Sequence, residues 1–177
     1  MTPAGTAFDF QPTLQGERLV VRPLRADDWD ALYAAASDPV IWALHPESDR
    51  WQRPVFEQFF AEALKCGAAF AILERASGRI IGSSRYYEFD AARSEVAIGY
   101  TFLTRDHWGG ATNGELKALM LDHAFQVVRA VIFHVGESNL RSRRAVEKLG
   151  AVLVGSVVRP SRNGALRNNV VYRLERR

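Results

Sequence analysis

Cysteine occurs once in the 177 residues, at position 66. A lone cysteine excludes an intrachain disulfide, and its free thiol would be at risk in an oxidising compartment, so a cytoplasmic location is expected. Long apolar runs are missing. None approaches the roughly 18–20 residues needed to cross a bilayer, and the N-terminus lacks the charged-then-apolar order of a secretory signal, so no membrane association is expected. Histidine is scarce, with four copies. No pair of them has metal-ligand spacing with a supporting carboxylate, and no metal is expected. Internal repeats, linkers and low-complexity stretches are also lacking.

What is present describes a globular chain. The hydrophobic share of 47% and the charged share of 24% suffice for a real core. The length fits one domain, 1–177, with residues 1–16 as a polar lead. A net charge of +3 favours anionic ligands without demanding nucleic acid.

Periodicity places the elements. Glu17 to Leu24 alternates and carries β-branched residues, the pattern of a strand. Trp29, Leu32, Tyr33 and Ala36 have helical spacing up to Asp38-Pro39, and Val55, Phe56, Phe59, Phe60, Ala63 and Leu64 form a second helical face closed by Gly67. Residues 68–89 read as two strands around the Ser77-Gly78 turn, and residues 94–103 as a third, which makes an antiparallel meander. Leu116, Leu119, Met120, Ala124 and Val127 then form a helical stripe. It is followed by the apolar run Ala130 to Gly136, which suits a strand buried on both faces. A further helix ends at Gly150, and two strands finish the chain. The order β-α-α-β-β-β-α-β-α-β-β predicts an α/β fold with a mixed sheet flanked by helices.

The segment Thr104 to Phe125, TRDHWGGATNGELKALMLDHAF, carries the clearest chemical signal. Thr112 and Glu115 have the spacing of a capping box, which places a helix start at Thr112. The free N–H groups of its first turn then face the Gly109-Gly110-Ala111 turn, where small side chains would let a phosphate approach the backbone. The glycine pair can equally serve only to turn the chain. Neither common nucleotide fingerprint fits. Glu115 stands where a P-loop needs lysine, and the spacing of a dinucleotide turn is absent.

That turn and capped helix, followed by VIFHVGESNLRSRRAVEKLGA, resemble the GNAT family of acetyl-coenzyme A dependent N-acetyltransferases, particularly the subgroup with the ribosomal-protein N-terminal acetyltransferases. The resemblance runs from about Arg18 to Leu174 and is most specific in IGYTFL, WGG, HAF and NLRSRRAxEKLGA. It implies a GNAT-type, mostly antiparallel twisted sheet and acetyl-CoA as co-substrate. It further implies acetyl transfer to a primary amine, on a protein N-terminus or a small molecule, by direct attack in a ternary complex.

Carried over residue by residue, the resemblance implies that the pyrophosphate rests on Trp108, Gly109, Gly110, Ala111, Thr112, Asn113 and Gly114. The family's three fixed turn positions fall on Trp108, Ala111 and Asn113, so this chain departs from the pattern. Phe102, Leu103 and Thr104 match the strand that pairs with the pantetheine arm. Asn139 matches an asparagine that contacts the coenzyme, and it is also a good N-cap residue. Ser142 and Arg143 lie near the coenzyme's polar parts or on a solvated face. Arg141 and Arg144 read as surface residues. The loop holding Trp42, His45, Arg50 and Trp51 lines the acceptor pocket in the family.

Acyl transfer needs a base for the amine and is helped by an acid for the thiolate. The family's glutamate before IGY is replaced by Ala97, and its tyrosine acid falls on Val146. Glu95, two residues earlier on the same strand face, is the candidate base or simply an exposed carboxylate. Ser142 or Tyr100 is the candidate acid. These gaps leave open an alternative, a catalytically impaired acyl-CoA-binding domain of the same fold. A homodimer is the form frequent in the family. The arginines near the C-terminus lack the interleaved aromatics of a nucleic-acid binder, so no nucleic acid is expected.

Overall fold

The computed structural model describes residues 7–177. The chain runs β1 (Leu14–Gln15), β2 (Leu19–Pro23), a 3-10 turn (Ala26–Asp28), α1 (Trp29–Ala36), α2 (Pro39–Trp42), α3 (Arg53–Cys66), β3 (Ala69–Glu74), β4 (Ile80–Asp90) and β5 (Glu95–Leu103). A second 3-10 turn (Arg105–His107) leads to α4 (Thr112–Ala124), β6 (Ala130–Gly136), α5 (Leu140–Lys148), β7 (Val152–Pro160) and β8 (Leu166–Glu175). One eight-stranded sheet results, in the order β1-β2-β3-β4-β5-β6-β8-β7. Every pairing is antiparallel except that of β5 with β6. The mixed sheet with flanking helices is the one expected. Two elements escaped periodicity, the two-residue β1 and the four-residue α2, because neither is long enough to show a repeat.

The sheet has a core on each face. On one, Phe56, Phe59 and Phe60 of α3 and Leu32 of α1 pack with Trp42, Ala71 and Phe102. On the other, Leu116, Met120 and Ala124 of α4 pack on Phe70, Ile72, Ile98 and Val131. Tyr86 is fully buried in that second core, and its hydroxyl donates to the Met120 carbonyl at 2.7 Å. The first six residues of the expected polar lead lie outside the described residues. The rest is anchored. Phe8 is buried and makes edge or stacked contacts with Phe10, Tyr86 and Phe89.

The expected capping box does not form. The helix begins at Thr112, but its N-cap is Ala111 and no side chain caps it. Glu115 instead accepts hydrogen bonds from the backbone N–H of Arg18 (2.8 Å) and Leu19 (3.2 Å), pinning the start of β2 to α4. Gly16 makes this approach possible, since a Cβ there would lie 2.1 Å from the Glu115 carboxylate. Tertiary donors outcompete the local one, so the amino end of α4 stays uncapped.

A charged clamp holds β2 to the turn before α1. Arg22 donates two bonds to Asp28, at 2.8 and 2.7 Å, and the Arg25 N–H donates a third at 2.8 Å. Burial alone would raise the Asp28 pKa, but these donors outweigh it and hold the carboxyl below its ordinary 3.8. A depressed carboxylate contributes stability that is present above its unfolded pKa and lost as pH falls through the folded one. Asp28→Ala is therefore expected to cost about 3 kcal/mol in denaturant unfolding at neutral pH, because it leaves a half-buried guanidinium uncompensated. The gap to wild type should narrow below pH 3.8.

Candidate active site

The site begins where two parallel strands part. β5 pairs with β6 only at Glu95–Ala130, Val96–Val131 and Ala97–Ile132. Beyond them β6 stays with β8, while β5 stays with β4 as far as Leu103. The edges of β5 and β6 therefore diverge into a cleft of about 970 Å³, lined by Ile98–Leu103 from one and Phe133–Gly136 from the other. Within β5 the register slips opposite Ser84, and Tyr100 adopts a φ of +53°, a conformation that side chains rarely take. This bulge turns the strand's free edge toward the cleft.

One wing of the cleft is built by the amino ends of α4 and α5. The backbone N–H groups of residues 109–114 have no hydrogen-bond acceptor among the described residues. Ideal Cβ atoms added at Gly109, Gly110 and Gly114 would meet nothing within 4 Å, so packing does not demand small residues there. The backbone of Gly109 alone does, with a φ of +70°. Facing this turn, Arg141 stacks on Trp108 with its guanidinium 3.9 Å from the ring centroid and donates to the Ile41 carbonyl at 2.9 Å. Asn139 is buried and caps α5, accepting from the Ser142 N–H at 3.2 Å.

The other wing carries Trp42, His45, Arg50, Tyr87, Tyr100, His134 and Arg159. The Tyr87 hydroxyl lies 2.8 Å from His134 Nδ1, and Arg159 Nη2 lies 3.2 Å from His134 Nε2. A guanidinium can only donate, so Nε2 is the acceptor and Nδ1 carries the proton, which it donates to Tyr87. The Tyr87 hydrogen is thereby left free for the cleft. Burial, with the Arg159 charge, lowers the His134 pKa and keeps this imidazole neutral, while burial raises that of Tyr87 and keeps it protonated. His45 is likewise neutral. Burial and the charge of Arg50 push its pKa to about 3, and its Nδ1 accepts from the Glu47 N–H at 2.9 Å.

A family model described as the acetyltransferase (GNAT) domain matches residues 18–152. The chain belongs to the GNAT acetyltransferase family. An N-acetyltransferase of Bacillus licheniformis called p20 is 29% identical over 118 residues, which span 64% of this chain and 66% of that protein. A GCN5-related N-acetyltransferase from Brucella melitensis superposes with a TM-score of 0.82 at 23% identity, covering 96% of this chain and 80% of that one. A spermidine N-acetyltransferase from Vibrio cholerae, solved with CoA and spermine, gives 0.68 at 17% identity, with 90% of this chain and 96% of that one covered. Mycobacterium smegmatis RimJ, solved with CoA-disulfide, gives 0.68 at 18% identity over 89% and 81% of the two chains. These neighbours share the fold.

This GNAT domain brings most of the expected residues together. Phe102, Leu103, Trp108, Gly109, Gly110, Asn113, Gly114, Asn139, Ser142, Tyr100, Trp42, His45 and Arg50 all line the cleft. Others do not. Glu95 lies in a separate depression with Glu88, Ala97 and Arg173, ion-paired to Arg173 and Arg93, because the strands are still paired at that end of β5. Arg143 turns away, donating to Tyr172 and to the Glu137 carbonyl at 3.1 Å each, and the cleft receives Arg141 and Arg144 instead. The Thr104 N–H is spent on the Ile81 carbonyl, Thr112 is packed inward, Ala111 serves as N-cap, and Trp51 lies half-exposed outside the cleft with its carbonyl accepting from Tyr33.

Lys117 was missed, because it occupies a buried position of α4 where the sequence shows only a polar residue beside an apolar stripe. It is 5% exposed, lines the cleft one turn below Asn113 and Gly114, and donates to Thr101 Oγ1 at 2.7 Å. Among the described residues no carboxylate pairs with it. Burial pulls its pKa from 10.5 to about 7. Between those values the unfolded chain holds the extra proton, so stability rises with pH across that window, and the cost of burying the ammonium is fully felt below about pH 7. Denaturant midpoints of the ligand-free protein are expected to climb through that range, and Lys117→Met is expected to remove that part of the climb.

Proposed function

We propose that this GNAT domain transfers an acetyl group from acetyl-CoA to a primary amine by direct attack in a ternary complex. The observation that carries the reading is the uncapped turn at residues 109–114, whose N–H groups lack acceptors and whose glycines have open space before them. A helix amino end with free amides is an anion site, and a diphosphate supplies the acceptors the protein omits. Arg141, Arg144 and Lys117 add positive charge to the same wing. The free edge of β5 beside the bulge supports a role in pairing with the extended amide arm of the coenzyme, as an added strand would.

The reaction forms a C–N bond and breaks a C–S bond, while the amine loses a proton and the thiolate gains one. Positioning alone supplies about 7–11 kcal/mol in well-oriented pairs. With valine at 146 and Glu95 outside the cleft, Tyr87 is the hydroxyl best prepared to give a proton to the thiolate, since His134 leaves its hydrogen free. Tyr100 and Ser142 also face the cleft. Tyr87→Phe is expected to lower kcat by about 10²-fold, the usual worth of a positioned acid, with the affinity for acetyl-CoA unchanged.

Calorimetry with acetyl-CoA and detection of free thiol with an amine panel test the reading together, because a catalytically impaired binding domain would bind and release no thiol. Gly110→Val and Gly114→Val are expected to fold normally, having room for the side chain, yet to weaken acetyl-CoA by about tenfold or more through lost amide contacts. Normal affinity in both would overturn the phosphate assignment.

A homodimer is proposed as well. Strand β7 is a sheet edge, and Val152, Val154 and Val158 on it and Leu166 across the turn are more than half exposed. A long apolar edge of this kind pairs with a copy of itself or aggregates. Light scattering is expected to give about twice the 19.8 kDa chain mass.

A further inference from the structure

Two arginines at the acceptor wing have no ion pair among the described residues, Arg50 lining the cleft and Arg85 packed on the Tyr100 ring that lines it. Arg85 of β4 is 6% exposed, its Nη2 has no hydrogen-bond partner, and its guanidinium is enclosed by aromatic faces, 3.9 Å from the Tyr100 centroid and 5.2 Å from that of Phe59. Arg50, in the loop before α3, stacks on the same Phe59 ring at 4.7 Å and on Trp42 at 5.2 Å, and it lines the cleft. Its one polar neighbour among the described residues is His45 Nε2 at 3.5 Å. That contact is no hydrogen bond. His45 Nδ1 already accepts from Glu47, which places the imidazole proton on Nε2 and sets donor against donor. Neither arginine has an ion pair among the described residues, and they repel each other. Burial draws the Arg50 pKa down to about 10; Glu47 opposes this through space more strongly than the Arg85 charge adds to it, and Tyr100 and Glu62 oppose it more weakly.

The surroundings do not neutralise them. Glu47 is the one carboxylate among the residues lining the cleft, and it is occupied, accepting from the Arg162 backbone N–H at 2.8 Å. The Arg162 side chain reaches Asp49 as well, so the tip of the β7–β8 hairpin is strapped to the loop that carries Arg50. The hairpin residues next to the strap, Pro160 and Ser161, line the cleft, so the strapped hairpin bounds it on this side, which favours a small acceptor over a protein terminus.

Resting on the acyl-transfer reading, we propose that the acceptor is a small amine bearing an oxyanion, a carboxylate or a phosphate, which pairs with Arg50 in the field of Arg85. An unpaired guanidinium fork matches both anions in geometry and charge. A polyamine, in contrast, would place cations against two arginines with no free carboxylate to receive them.

The test uses the full chain saturated with CoA. Calorimetry measures the binding of N-acetyl amino acids against their amides, N-acetyl-phosphoethanolamine against N-acetylethanolamine, and N-acetylspermidine as the cationic arm. At least one anionic member is expected to bind about tenfold or more tightly than its neutral partner, the worth of a charge-assisted hydrogen bond, and the arm in which this happens distinguishes carboxylate from phosphate. Arg50→Met, a change in a loop and not in the core, is expected to erase that preference while the affinity for CoA stays unchanged. Equal binding of neutral or cationic members, binding of none, or a preference that survives Arg50→Met would overturn the proposal. Loss of CoA binding by the wild-type chain would instead strike the acyl-transfer reading.

Discussion

After Ala97 and Ile132 two parallel strands separate, and the cleft that their edges line depends on that parting. A continuous sheet would bury both strand edges in its own ladder. Here, beyond Ile132, β6 keeps only β8 as a partner, β5 bulges at Tyr100, and a free backbone edge faces a cleft whose two ends differ chemically. The bulge has a cost, since a tyrosine with positive φ is strained. Arg85 under its ring and Tyr87 at its edge hold it in place.

The two ends share an electrostatic deficit. On one side unaccepted amides, Lys117 and Arg141 gather without a carboxylate, and on the other Arg50 and Arg85 have no ion pair among the described residues, Glu47 being held by Arg162. Buried charges are ordinarily paired, because desolvation penalises them heavily. Elsewhere the chain obeys that rule: Arg22 has Asp28 and Arg173 has Glu95. The exceptions collect around the cleft. Among the described residues the two buried cations without an ion pair, Lys117 and Arg85, both sit at or beside the cleft, which supports the proposal of anionic ligands there.

Glu115 shows how local and tertiary demands compete. Its spacing from Thr112 fits a capping box, yet the carboxylate is drawn to the backbone of Arg18 and Leu19, ninety-six or more residues away. The uncapped turn that results is the one the proposed function needs. The same competition explains Arg143. Three arginines, Arg141, Arg143 and Arg144, lie within a single stretch of α5, and which of them face the cleft depends on the rotation of the helix, set by Val146 packing into the core and Tyr172 waiting beneath.

The order of the long elements, the glycine turn and the Asn139 cap were legible in the sequence, because each rests on a local repeat or a local hydrogen bond, and the start of α4 falls at the expected Thr112 although the capping box that pointed to it does not form. The parting of β5 from β6, the exile of Glu95 to a different depression, and the burial of Lys117 and Arg85 were decided only by tertiary structure. Strand partners are chosen across distances that a local pattern cannot register. A polar residue looks the same in sequence whether it meets water or a closed cleft, and only the packing around Lys117 and Arg85 turned ordinary cations into unsatisfied ones.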